Sequence, residues 1–313
     1  MRFGMTAAWI AMNVLKSFVP CAVVFAVSSA GAVAQGTEFH VRPKFVVDST
    51  ATYEIKENYE VITESPVMKL GRATQSVSRT IVAQFDVQDI DDDGVTIRMV
   101  HQRIQFEMNS PIAESTFKFD STTPGDQDAT NPIAPVLRPL IGAPITIKLD
   151  PTGIIQSVEA PPGLVPSIPL ARLSRQFMDT ASVQLRLAEL FTTRSPKEKQ
   201  AVGASWTSGD TLDALGGTGR TLTISREHRL ESADLTQATI KVAGTASLSE
   251  KRAEDANVTI KGFDLKATQV WDPTDGVLSS YESRTVLLGA IEPQPGVTQT
   301  IDSTDTKTVK RVK

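Results

Sequence analysis

After residue 50, apolar residues recur at every second position over most of the chain, the period of strands that bury one face. Tyr53, Ile55, Tyr59 and Val61 share one parity, and Val77, Ile81, Ala83, Phe85 and Val87 another, with Ser78, Thr80, Gln84 and Asp86 between them. Val95, Ile97 and Met99 continue the pattern, but beyond His101 it changes to Ile104, Phe106 and Met108. A parity change within one strand needs one extra residue, so a β-bulge is predicted near His101–Arg103. Phe117 and Phe119, then Ile145, Ile147 and Leu149, extend the meander. The second half alternates in the same way through Leu222, Ile224 and Leu230, then Ala238, Ile240, Val242, Ala246 and Leu248. Val258 and Ile260 give way at Gly262 to Phe263, Leu265, Ala267 and Trp271, which predicts a second bulge. Val277, Tyr281 and Leu287 form the last such run.

One segment has the helical period instead. From Leu170, apolar residues fall at Leu173, Phe177, Ala181, Leu185, Ala188 and Phe191, predicting a helix near residues 168–192. A shorter turn of helix is expected after Asn131-Pro132, ending by Gly142. The Thr-, Asp- and Lys-rich stretch after Pro293 reads as a frayed strand or disordered end.

Leu149-Asp150-Pro151-Thr152-Gly153-Ile154 is echoed 122 residues later by Trp271-Asp272-Pro273-Thr274-Asp275-Gly276-Val277. In such turns Asp accepts backbone bonds, Pro presets φ, and Gly takes the positive φ. Turn chemistry alone or an internal duplication would account for the match. The expected fold is mainly β: a curved antiparallel sheet or open half-barrel, duplicated or not, with one main helix packed on it. Residues 1–34 read as a signal peptide, 35–160 as a first β-meander half, 161–200 as a Pro-rich linker and helix, 201–292 as a second half, and 293–313 as a polar tail.

The signal reading changes where this fold is expected to work. Arg2 begins the chain, an apolar stretch runs from Phe18 to Val27, and Ala32-Val33-Ala34 offers the small-x-small pattern before Gln35. Lys16 leaves an apolar run of only about 16 residues, short of a spanning helix. Cleavage near Ala34 makes the protein periplasmic or secreted. Cys21, the single cysteine, lies inside that signal, and bulky Phe18-Val19-Pro20 before it does not suit lipidation. The mature chain, 279 residues (313 minus 34), then has no thiol chemistry and no disulfide. Losing Arg2 and Lys16 leaves 30 basic residues against 36 acids, a net charge of −6, which argues against a nucleic-acid partner. No later apolar run approaches a membrane span.

Candidate chemistry is sparse. Asp89-Ile90-Asp91-Asp92-Asp93-Gly94 matches the opening of a calcium loop through Asp89, Asp91 and Asp93, yet Val100 stands where a bidentate Glu is required. A hairpin turn is the stronger reading. His40, His101 and His228 have no metal-ligand spacing. Ser115-Thr116-Phe117-Lys118 satisfies Ser-x-x-Lys only formally, inside an alternating strand, and there is no Gly-x-Ser-x-Gly elbow. The expectation is therefore no catalytic constellation, no cofactor and no resident metal. Phe117, Phe119, Leu173, Phe177, Trp206 and Trp271 remain as candidate lining of a hollow between sheet and helix, with ordinary core packing as the alternative.

Tyr53-x-Ile55, Phe119-Asp120-Ser121, Leu140-Ile141-Gly142-Ala143-Pro144, Leu149-Asp150-Pro151-Thr152-Gly153 and Gly203-Ala204-Ser205-Trp206 together resemble secreted bacterial β-rich proteins. The bent sheet with a helix on its concave side is similar to the lipoprotein-carrier half-barrels of the LolA and RseB kind. That resemblance implies an apolar hollow for acyl chains and carries over no binding residue. It leads to an exported, non-enzymatic carrier of a lipid-like or apolar ligand. The alternatives are a module that binds another envelope protein or serves structurally, and an acid-dependent hydrolase of envelope sugars.

Overall fold

The computed structural model describes residues 37–66, 71–110, 115–161, 180–191, 198–214, 220–249, 257–294 and 296–312, together with 18–19, 164 and 196. The strands are β1 (Phe18–Val19), β2 (Glu38–Phe39), β3 (Thr50–Glu64), β4 (Arg72–Asp91), β5 (Gly94–Ser110), β6 (Ser115–Asp120), β7 (Pro144–Leu149) and β8 (Ile155–Glu159). After helix α2 come β9 (Gln200–Ala201), β10 (Ser205–Ala214), β11 (Arg220–Ala233), β12 (Ala238–Leu248), β13 (Asn257–Asp272), β14 (Val277–Gln294) and β15 (Val297–Val312). The helices are α1 (Ala134–Leu137), flanked by two 3-10 turns, and α2 (Thr180–Phe191). One antiparallel sheet runs β1-β10-β11-β12-β13-β14-β15-β3-β4-β5-β7-β8, with β6 also on β5. It is open: β1 and β8 lie at its two ends and do not pair.

The expected bend points are present. Val82 pairs Arg103 while Ala83 pairs His101, which leaves Gln102 as the extra residue. Ile260 pairs Gly289 while Gly262 pairs Leu288, which leaves Lys261. Each bulge lets the inward parity change without turning the apolar face outward.

The polar C-terminal stretch differs most from its reading as an end. It is strand β15, paired along its length with β14 on one side and with β3 on the other. It joins the two halves into one sheet. Its inward positions are mostly polar (Gln299, Ser303, Lys307), so apolar alternation does not reveal it. The other parity carries Thr298, Thr300, Thr304, Thr306 and Thr308, β-branched residues that suit a strand.

The Asp150 and Asp272 turns both form hairpins, β7–β8 and β13–β14. Asp150 Oδ1 accepts the Thr152 amide and hydroxyl, and Asp272 Oδ1 accepts the Thr274 and Asp275 amides. The same Asp-x-Thr device recurs at Asp120 and at Asp234. A turn used four times is local chemistry, and the match does not by itself mark a duplication.

The main core lies toward the sheet end that carries the Asp91, Asp150, Asp234 and Asp272 turns. Ile55, Ile81, Ile97, Met99, Ile104, Ile145 and Ile147 are almost fully buried there, and Leu137 and Leu140 of the α1 region plug the same end. Residues before β3 cross it as a strap: Lys44 donates to Gly276 O at 2.8 Å, and Asp48 to Val87 O at 2.9 Å. Gly276, at φ 63°, leaves room for Lys44, which an added Cβ would meet at 2.3 Å.

Within α2, Val183, Gln184, Arg186, Leu187, Ala188, Leu190 and Phe191 are all buried. So many buried positions among the described residues of one helix seat α2 against the inner face of the sheet. Phe191 stacks edge-on to Phe85 at 5.4 Å, and Phe85 meets Tyr53 at 6.0 Å. Gln184 Oε1 accepts the Ile155 amide at 2.7 Å, which ties the helix to β8.

Two outcomes test this architecture. Removal of residues 297–313 should abolish cooperative unfolding in a urea titration, because it bares both β14 and β3. Gly94 sits at φ 144°, and a Cβ there would meet Leu149 O at 1.8 Å. Gly94→Ala should therefore cost about 3 kcal/mol in the same assay.

Candidate functional site

The register places side chains in rows across the inner face. One row reads Phe119, Phe106, Arg79, Glu57, Lys307, Ser283 and Ala267, from β6 through β13. The next, away from the main core, reads Phe117, Met108, Val77, Tyr59, Asp305, Thr285 and Leu265. The middle of these rows holds a buried charge cluster, and α2 closes over it.

Arg79 pairs closely with Glu57 across β3 and β4, and Arg186 Nε of α2 lies 3.7 Å from the same carboxylate. Lys307 Nζ donates to Glu189 Oε2 at 2.7 Å and to the backbone oxygen of Arg186 at 2.6 Å. Burial alone would raise the Glu57 carboxyl, but Arg79, Arg186 and Lys307, with the Arg79 hydrogen bond, hold it at about 2. His101 is almost fully buried, and desolvation, reinforced by Arg186, depresses it to about 3. An imidazole depressed that far stays neutral across the physiological range and is a weak base.

Asp305 is half-buried, and burial raises its carboxyl to about 6. Glu57 and Glu189 add to that shift, while Lys307 and Arg79 oppose it. This cluster escaped the sequence reading. Its members are scattered over four elements, and only the inward parity of Glu57 and Lys307 could have signalled it.

A second polar group faces inward from β10 and β11. Arg226 pairs closely with Asp210, and Ser208 Oγ lies 2.8 Å from His228 Nε2. That is a nucleophile–base distance, but His228 is buried flat against Trp206, with ring centroids 5.5 Å apart. The pairing reads as a stacked ring held by a hydroxyl.

The aromatic candidates divide. Phe119 and Trp271 are core residues: Arg138 lies 5.0 Å over the Phe119 ring, and Trp271 Nε1 donates to Gln269 Oε1 at 3.4 Å. Phe117 and Trp206 are only partly buried and pack on the margin of the same core. Leu173 and Phe177 lie outside the described residues. In the calcium-like stretch, Asp91 Oδ1 accepts the Asp93 and Gly94 amides at 2.9 Å, and Asp89 Oδ1 accepts that of Ile90. Asp89, Asp91 and Asp93 thus shape a hairpin turn, and no acid or histidine group among the described residues has metal-binding geometry.

A pocket of about 470 Å3 opens beside β6, lined by Arg79, Gln105, Phe106, Lys118, Phe119 and Asp120 among others. Its lining mixes both charges and does not match an acyl-chain hollow. The apolar surface lies elsewhere on the inner face. Val77, Met108, Phe117, Leu248, Ile260 and Phe263 are partly buried against the core, and most of them lie on the far side of the charge cluster from the main core. No helix among the described residues is long and apolar enough to cross a membrane.

Glu57 sets an acid limit on stability. Its folded value lies below the ordinary 4.5, so its contribution is complete above that pH and is lost as pH falls through 2. His101 adds a loss in the same direction, between 6.5 and 3, because only the unfolded chain takes up its proton there. Glu57→Gln should cost about 3 kcal/mol at pH 7 and almost nothing near pH 2, measured by denaturant titration at both pH values.

No protein-family model matches the chain, and no curated protein matches it by sequence. Among solved structures it is similar to lipovitellin, described for its lipid–protein interactions, at 11% identity and a TM-score of 0.44 over 86% of this chain and 26% of that one. The chain spans about a quarter of lipovitellin's length. It is also similar to an outer-membrane channel from Pseudomonas putida F1, at 8% identity and a TM-score of 0.25 over 90% of this chain and 100% of that one. OccK11 (OpdR) of Pseudomonas aeruginosa matches at 7% identity and a TM-score of 0.23 over 88% and 100%.

Proposed function

We propose that the chain is an exported, non-enzymatic carrier that holds a lipid-like or otherwise apolar ligand on the inner face of its open sheet. The observation that carries this reading is the partly buried apolar surface on the two flanks of the polar seam, Val77, Met108 and Phe117 on β4 to β6 and Leu248, Ile260 and Phe263 on β12 and β13. A protein gains by covering such surface, and a ligand of low polarity covers it at the least desolvation cost. The lining differs from the aromatic set read from sequence: Phe117 stays in it, while Phe119 and Trp271 belong to the core. Signal cleavage near Ala34 would deliver the carrier to the periplasm or beyond, as the resemblance to lipoprotein carriers implies.

A second reading, a module for another envelope protein, is favoured by the open sheet. Among the described residues the outer edge of β10 is paired only at Thr211 and Leu212, by β1, which lies within the expected signal. Native mass spectrometry of protein purified from its own periplasm separates the two readings. A bound small apolar molecule is the expected result. A co-purifying protein with no small molecule would replace the carrier reading with the module. Phe263→Asp should remove the bound molecule while leaving the far-ultraviolet spectrum unchanged, and retention of the molecule would place its site elsewhere.

A further inference from the structure

We propose that helix α2 is held by a pH-sensitive latch in which Asp305 of β15 competes with Glu189 of α2 for Lys307. The inference is independent of what the inner face binds. Lys307 is one of the side chains that fasten the sheet to the helix, through Glu189 Oε2 and the carbonyl of Arg186. Asp305 stands two residues away on the same inward parity, between Tyr59 of β3 and Thr285 of β14.

The groups facing this point come from five strands and the helix. They are Glu57 and Tyr59 from β3, Arg79 from β4, His101 from β5, Tyr281 from β14, Lys307 from β15, and Arg186 and Glu189 from α2. Arg79, Arg186 and Lys307 supply three positive charges, and Glu57, Glu189 and Asp305 supply three negative ones. With Asp305 charged, its carboxylate repels Glu57 and Glu189 and shares Lys307 with them. With Asp305 protonated, Lys307 is left to the helix.

Among Glu57, Tyr59, His101 and Asp305, only Asp305 changes charge near neutrality. Glu57 stays ionised down to about 2, His101 stays neutral down to about 3, and burial raises Tyr59 above the ordinary phenol range. Asp305 has a folded value of about 6, above the unfolded 3.8. Its proton therefore stabilises the seated helix below about 3.8, and that gain is lost as pH rises through 6. The latch is tight in mild acid and loosens toward pH 8. Global stability would hide this, since His101 acts in the opposite direction over much of the same range, so the test must be local and read by difference.

Hydrogen exchange of the 183–191 amides, corrected for intrinsic rates, should be roughly ten-fold faster at pH 8 than at pH 5 in the full chain. Asp305→Asn should slow exchange at pH 8 to the pH 5 value and remove the difference. Asp302→Asn, on the exposed parity of β15, should leave the difference intact. Glu189→Gln, which removes the competing negative charge, should loosen the helix at both pH values. A pH difference that survives in Asp305→Asn, or none in the unmodified chain, overturns the latch.

Discussion

The pairing of β15 between β14 and β3 is the constraint on which the rest of the molecule depends. Without it there are two separate meanders, each with a bare edge and half a concave face. With it the inner face becomes continuous, and the charge cluster assembles from parts that no single half contains. Glu57 and Arg79 come from the first half, Lys307 from the seam, and Arg186 and Glu189 from the helix between the halves. The seam strand is polar because its inward side faces ionic partners over part of its length rather than the apolar core.

Buried ion pairs seldom add net stability over an apolar core, since desolvation offsets much of their attraction. Their value here is positional. An apolar helix could settle in a smooth apolar trough at several depths and rotations. A helix whose Arg186 must meet Glu57, and whose Glu189 must meet Lys307, has far fewer seats. The Gln184 bond to the Ile155 amide fixes the same helix against β8.

Much of this fold was legible in sequence because a sheet with one buried face writes its register as parity. The bulges at Gln102 and Lys261 followed from single parity breaks, and the Asp150 and Asp272 turns from their side-chain chemistry. The limits have equally physical causes. Strand β15 fills its inward positions with Gln299, Ser303 and Lys307, so hydrophobicity cannot mark it, although its alternating threonines could have. For the aromatic candidates, sequence shows that Phe117 and Phe119 share a face, but not that Arg138 covers Phe119. The cluster itself is a property of register between strands more than 200 residues apart, to which one-dimensional pattern is blind.

The position of the seam at the C-terminus also governs when the protein can fold. Glu64 and Thr300 are register partners, so the loop closed by that pairing spans 236 of the 313 residues (300 minus 64). Contacts of such sequence separation form late and slowly, after most of the chain entropy has been surrendered. During synthesis the N-terminal strands would wait, incomplete, for the last sixteen-residue strand to emerge. The concave face and its charge cluster are therefore assembled last, by the pairing with the greatest sequence separation.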